Sequence, residues 1–122
     1  MNRLAFLLLL VSFSASATQL PCSVHPGRDT SASALSGLAK ISRADAEKAA
    51  LARLQSSSKE VIDGELEIEQ DCLLYSFDIR LVGNSGIEEI WVDAGTGKIL
   101  SHKHESSRQE AAEQAKDKAS SK

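Results

Sequence analysis

The chain has 122 residues, a formal net charge of −3 and 42% hydrophobic residues, of which few are aromatic; this is enough for one small domain. Between Lys59 and Asp93 ten acidic residues stand against only Lys59 and Arg80, which is the wrong sign for nucleic acid or an anionic membrane surface. So small a core also argues against a deep substrate pocket.

The first segment reads as an export signal. Met1-Asn2-Arg3 supplies a positive start, Leu4 to Phe13 an apolar run, and Ala15-Ser16-Ala17 a small-x-small cleavage site. The expectation is a signal peptide over residues 1–17, cut after Ala17. A membrane anchor needs about 20 apolar residues, and Gln19-Leu20-Pro21 ahead of Cys22 does not fit a lipid-attachment site. Loss of Arg3 takes the charge from −3 to −4. The expected product is soluble and periplasmic or secreted, with no membrane insertion after cleavage.

Residues 18–38 are rich in Ser, Pro, Gly and Ala and read as a flexible arm, with one helical turn near Ala34–Leu38. The chain has two cysteines, Cys22 and Cys72. Outside the cytoplasm such a pair is usually a disulfide. It would close a loop of about 50 residues, worth roughly 4 kcal/mol in the chain-entropy model as an upper figure. No CxxC is present, so a structural bridge is preferred over a redox or metal pair.

A helix follows over Arg43–Leu54. Ser42 is placed to cap it, Asp45 stands at the third position, and Ile41 can staple to Ala46. Ala46, Ala50 and Leu54 form one stripe, with Ala49 and Leu51 beside it. Gln55 to Ser58 ends the helix. Beyond it the pattern has period two, which means strands. Leu66 and Ile68 alternate with Glu65, Glu67 and Glu69; Tyr75, Phe77, Ile79 and Leu81 alternate with Ser76, Asp78 and Arg80. Gly83 to Gly86 is a hairpin loop, Ile90 and Val92 flank Trp91, and Ile99-Leu100 opens a last strand. The predicted fold is α+β: one main helix packed on one face of a three- to four-stranded antiparallel sheet, spanning residues 39–105. Residues 106–122 hold no apolar side chain larger than Ala, so they are expected to be a disordered polar tail or a solvated, transient helix.

"ISRADAEKAAL", "LLYSFDIRL" and "EIWVDAGTGKIL" together resemble the PepSY domain. The matching features are Ala46 with Ala49-Ala50, Tyr75-Ser76-Phe77-Asp78-Ile79, and Val92-Asp93 through Thr96-Gly97-Lys98-Ile99. The resemblance covers about Ala39 to His104. It departs at the first hairpin, where the family often has glycine and this chain has Gln70-Asp71 before Cys72. It implies a small exported, non-catalytic module without a cofactor. Such domains occur in the propeptides of secreted peptidases and in cell-envelope proteins, so the implied partner is a protein such as a peptidase.

Three groups are candidate sites. Glu65, Glu67 and Glu69 share one strand face, extended by Asp63 and Asp71 if the strand is regular. They suit a docking strip for a basic partner or a weak calcium site, against the plainer reading of a solvated face that discourages edge aggregation. His102 and His104, two apart on a strand, point the same way and suit zinc or copper, with His25 able to join from the arm; the plainer reading is an exposed strand end. Trp91 should lie opposite the helix, either as an anchor for a partner or packed on Ile87 or the arm.

No nucleophile motif of the G-x-S-x-G kind is present, and no carboxylate pair is marked for acid–base work. "VDAGTGKI" is not a phosphate loop: Val92 stands where the first glycine belongs and Ile99 where Ser or Thr would bind magnesium. It reads as a turn in which Asp93 bonds the local backbone and Gly95 and Gly97 take positive φ.

Overall fold

The computed structural model describes residues 19–120; the export signal read at residues 1–17 lies outside the described residues. Elements follow in the order α1 (Ala32–Leu38), α2 (Arg43–Arg53), β1 (Lys59–Glu69), β2 (Cys72–Leu81), β3 (Ile87–Asp93), β4 (Ile99–Glu105) and α3 (Ser107–Ser120). The four strands form one antiparallel sheet in the order β1-β2-β3-β4. This is the α+β architecture expected, with four strands.

Helix α2 begins as its sequence specifies. The Ser42 hydroxyl accepts the Asp45 N–H at 3.1 Å, satisfying one of the unpaired N–H groups of the first turn. At the other end the Lys59 ammonium donates to the Leu51 carbonyl at 2.7 Å, a cation on the negative end of the helix. Ala46 and Ala50 are fully buried. Their small side chains let the helix lie close on the sheet, where it meets Tyr75, Phe77, Ile79, Ile90 and Val92. The period-two strands place these apolar residues on one side, the core face. Leu35 of α1 joins the same cluster.

The β1–β2 turn is tight. Gln70 and Asp71 both have positive φ, 48° and 64°, a conformation that costs non-glycine residues about 1 kcal/mol or more. The glycine-free sequence is held there by the neighbouring disulfide Cys22–Cys72, whose Cα atoms are 5.8 Å apart, and by His25, whose Nδ1 donates to the Asp71 carbonyl at 3.1 Å. Asp71 therefore belongs to the turn and does not extend the acidic row of β1; its carboxylate lies 3.6 Å from Arg28. A bulge between Val61 and Asp63 interrupts β1. Ile62 absorbs the extra residue and is left exposed, while Asp63 still pairs with Asp78.

The arm read as flexible is tied at several points. Besides the disulfide, the Val24 carbonyl accepts the Leu73 N–H at 2.9 Å, and Ser23 bonds Asp93. Residues 107–120, expected as a disordered tail or a solvated transient helix, are helical, with the side chains of 112–119 exposed. Alanine, Glu, Gln and Lys have high helix propensity, so this stretch forms a helix although its side chains at 112–119 are exposed. Among the described residues no helix is long and apolar enough to cross a membrane.

Candidate functional site

The "VDAGTGKI" turn joins β3 to β4 and ties two other segments to them, the stretch before α2 and the arm. The Asp93 carbonyl accepts the Gly97 N–H at 2.9 Å, and the Ala94 carbonyl accepts from Lys40 and Ile41 at 2.9 and 3.2 Å. The buried Asp93 carboxylate accepts Thr96 N–H at 3.1 Å and Thr96 hydroxyl at 2.6 Å, as expected of a turn aspartate. It also accepts the Ser23 N–H at 3.1 Å and the Ser23 hydroxyl at 2.6 Å. Burial pushes its pKa up, but these bonds outweigh burial and hold it below the ordinary value. Gly97 has the expected positive φ, 78°. Gly95 does not: it is glycine because a side chain there would run into Ser23 Oγ and Val24.

Strand alternation puts the acidic row and Trp91 on the face away from α2. Glu65 pairs with Ser76, Glu67 with Leu74 and Glu69 with Cys72, while Trp91 lies between Ser76 and Ser101. This second face is closed at both ends. Cys72 and Leu74 are buried beside the arm, and Ile87 is buried opposite Glu105, where β4 leads into α3. Between them runs a strip of Glu65, Glu67, Ser76, Asp78, Glu89, Trp91 and Lys103, of which Glu65 and Lys103 are exposed and the others half-buried. The Lys103 ammonium lies 5.4 Å from the Trp91 ring centre, a cation–π contact. Burial and the negative charges of Glu69, Glu65 and Asp78 raise the Glu67 pKa against a lowering hydrogen bond from Ser76. Burial, Glu105, Asp78 and Glu67 raise that of Glu89 against the pull of Lys103. Burial first, and repulsion between neighbouring carboxylates second, therefore oppose the negative charge of Glu67 and Glu89. Among the described residues there is no pocket to enclose a small molecule.

The two histidines lie on the core face, at the β4 edge. His104 pairs with Glu88 and His102 with Ile90, so both imidazoles share a side with Glu88. His102 Nε2 is 2.8 Å from one Glu88 oxygen and His104 Nδ1 is 2.9 Å from the other. Burial pushes the Glu88 carboxyl up, yet its two histidine partners bring it below the ordinary value. An ionised carboxylate only accepts, so both ring nitrogens donate. Nothing local in the sequence marks Glu88; the β3–β4 register, which needs the turn and its bulge between Trp91 and Val92, is what reveals it. His25 does not join this group. It lies beside Cys22 Sγ, at 3.7 Å, where Cys22, His25 and Cys72 bring ligand-type atoms together. Both sulfurs there are spent in the disulfide, which leaves no thiolate to bind a metal.

One helix layer on one face of a four-stranded meander, with a charged strip on the other, defines a small α+β module. Residues 40–103, just over half of the chain, match the model of the PepSY family, described as "Peptidase propeptide and YPEB domain"; the chain belongs to that family. No curated protein and no solved structure matches it.

Proposed function

We propose that this protein is an exported, non-catalytic binding module that modulates a secreted or envelope peptidase, or another envelope protein, through the charged strip of its sheet. Membership in a family described by peptidase propeptides supports the peptidase as partner. The observation that carries the reading is Trp91 set among Glu65, Glu67, Asp78 and Glu89 on a face that the helix layer leaves uncovered. Tryptophan offers a large contact area at low entropy cost. The crowded carboxylates around it favour a cationic partner, whose charge would relieve their repulsion. Glu69, nearer the disulfide, marks the end of the strip. The Cys22–Cys72 bridge supports export, since such bonds persist in oxidising compartments.

The test is to recover bound proteins from periplasmic extract with the wild type and with Trp91→Ala, and to assay the co-secreted peptidase activity with each protein added. A peptidase held and modulated by the wild type and released by Trp91→Ala supports the reading. Identical background recovery and unchanged peptidase activity with both proteins removes it.

A further inference from the structure

We propose that Glu88, His102 and His104 form a binding site for a borderline divalent transition metal ion of the Zn2+ or Cu2+ kind. Two imidazole nitrogens and one carboxylate oxygen make up a three-ligand set that such ions accept, with the fourth position left to solvent. The fold supplies the set by register. His102 and His104 are one strand step of two residues apart, about 6.7 Å, and Glu88 stands directly across from His104 on the same face. Its two oxygens meet one imidazole each, at 2.8 and 2.9 Å.

Metal–ligand bonds of about 2.0–2.2 Å place neighbouring ligands roughly 3.3 Å apart. The ion takes the place of the two N–H···O bonds: each imidazole carries its proton on the other ring nitrogen, each imidazole–carboxylate gap widens slightly, and the rings turn toward a common centre. The side chains allow this. Glu88 is the most enclosed of the three, with 15% of its side chain exposed, while His102 and His104 are 28% and 54% exposed and so have solvent on one side into which their rings can turn. Lys103, between the two histidines in sequence, lies on the opposite face over Trp91, so no cation crowds the site from β4. The site and the docking strip occupy opposite faces of the sheet and stand or fall separately.

Titration calorimetry of the purified, oxidised protein with ZnCl2 and with CuCl2, paired with thermal melts, tests the assignment. One ion should bind per chain. His102→Ala and His104→Ala should each weaken binding about tenfold or more, Glu88→Gln by about tenfold, and His25→Ala should leave it unchanged. Bound Cu2+ should show nitrogen coupling in its electron paramagnetic resonance spectrum, reduced in each histidine variant. His104 is the most exposed of the three, so its variant keeps the fold and the result stays interpretable. The proposal is overturned if neither ion produces heat or a melting shift in the wild type. It is equally overturned if His104→Ala binds as tightly as wild type, or if His25→Ala abolishes binding.

Discussion

Ser23 and Asp93, 70 residues apart, are joined by two hydrogen bonds, from the Ser23 N–H and hydroxyl onto the two oxygens of one buried carboxylate. The same carboxylate holds Thr96 in its own turn. One side chain thus shapes the β3–β4 turn and fastens the arm to it. Replacing Asp93 by Asn would set an amide N–H2 against donors that need an acceptor. Hydrogen bonds to a charged group contribute about 1.5–3 kcal/mol, so Asp93→Asn is expected to cost about 2–3 kcal/mol in urea unfolding at pH 7.

Acid should act through the same residue. The folded pKa of Asp93 lies below its ordinary value. Its contribution is therefore present above the unfolded pKa, near 4, and is lost as pH falls through the folded value. Denaturation curves from pH 6 to pH 2 should lose stability more steeply for the wild type than for Asp93→Asn. Parallel curves would show that the carboxylate is not the source.

The charged strip should behave in the opposite sense. Glu67 and Glu89 have raised folded pKa values, so their ionised forms work against folding at neutral pH, and that penalty disappears as pH falls below the ordinary glutamate value. Glu67→Gln and Glu89→Gln are each expected to stabilise by about 0.5 kcal/mol at pH 7, in the range for cross-strand like-charge pairs. The gain should vanish near pH 4. Melting curves at the two pH values are sufficient to check it.

Gly95 is predicted to be needed for space and Gly97 for backbone conformation. Gly97→Ala should cost about 1–2 kcal/mol from the positive φ alone. Gly95→Ala should destabilise through its clash with Ser23, and that cost should shrink in a Ser23→Gly background. A double-mutant cycle reads this coupling directly; additive costs would place the clash elsewhere.

Reducing the Cys22–Cys72 bond opens a loop with a sequence separation of 50. A loss of about 2–4 kcal/mol is expected. The amide of Leu73, which bonds Val24 of the arm, should exchange faster with solvent in the reduced protein, while the amides of β3 should change less. Equal exchange rates in both redox states would mean that Ser23 and Val24 alone hold the arm.

Local patterns made much of this legible. The Ser42 cap, the alanine stripe of α2 and the alternation in β2 and β3 each depend on residues a few positions apart, so the α+β fold, the family and the side of the sheet taken by Trp91 could be read in advance. The cysteine pairing followed from there being one pair. Glu88 could not be found this way, because its meeting with His102 and His104 depends on the β3–β4 register and a bulge. Gly95 looked like a second positive-φ glycine, because nothing local reports an arm lying against it. The helical form of residues 107–120 was not decided by composition, since strong helix propensity and the lack of any core-forming side chain point in opposite directions.

The amino-acid order, through short-range periodicity and capping, settled which elements form and which side of each is apolar. Tertiary packing decided what those elements bring together: the arm onto Asp93, lysine onto tryptophan, and two histidines onto one glutamate. Such contacts join residues 12 to 70 apart in the chain. Their geometry depends on strand register and turn shape, which are fixed only when the core face of the whole sheet is buried at once.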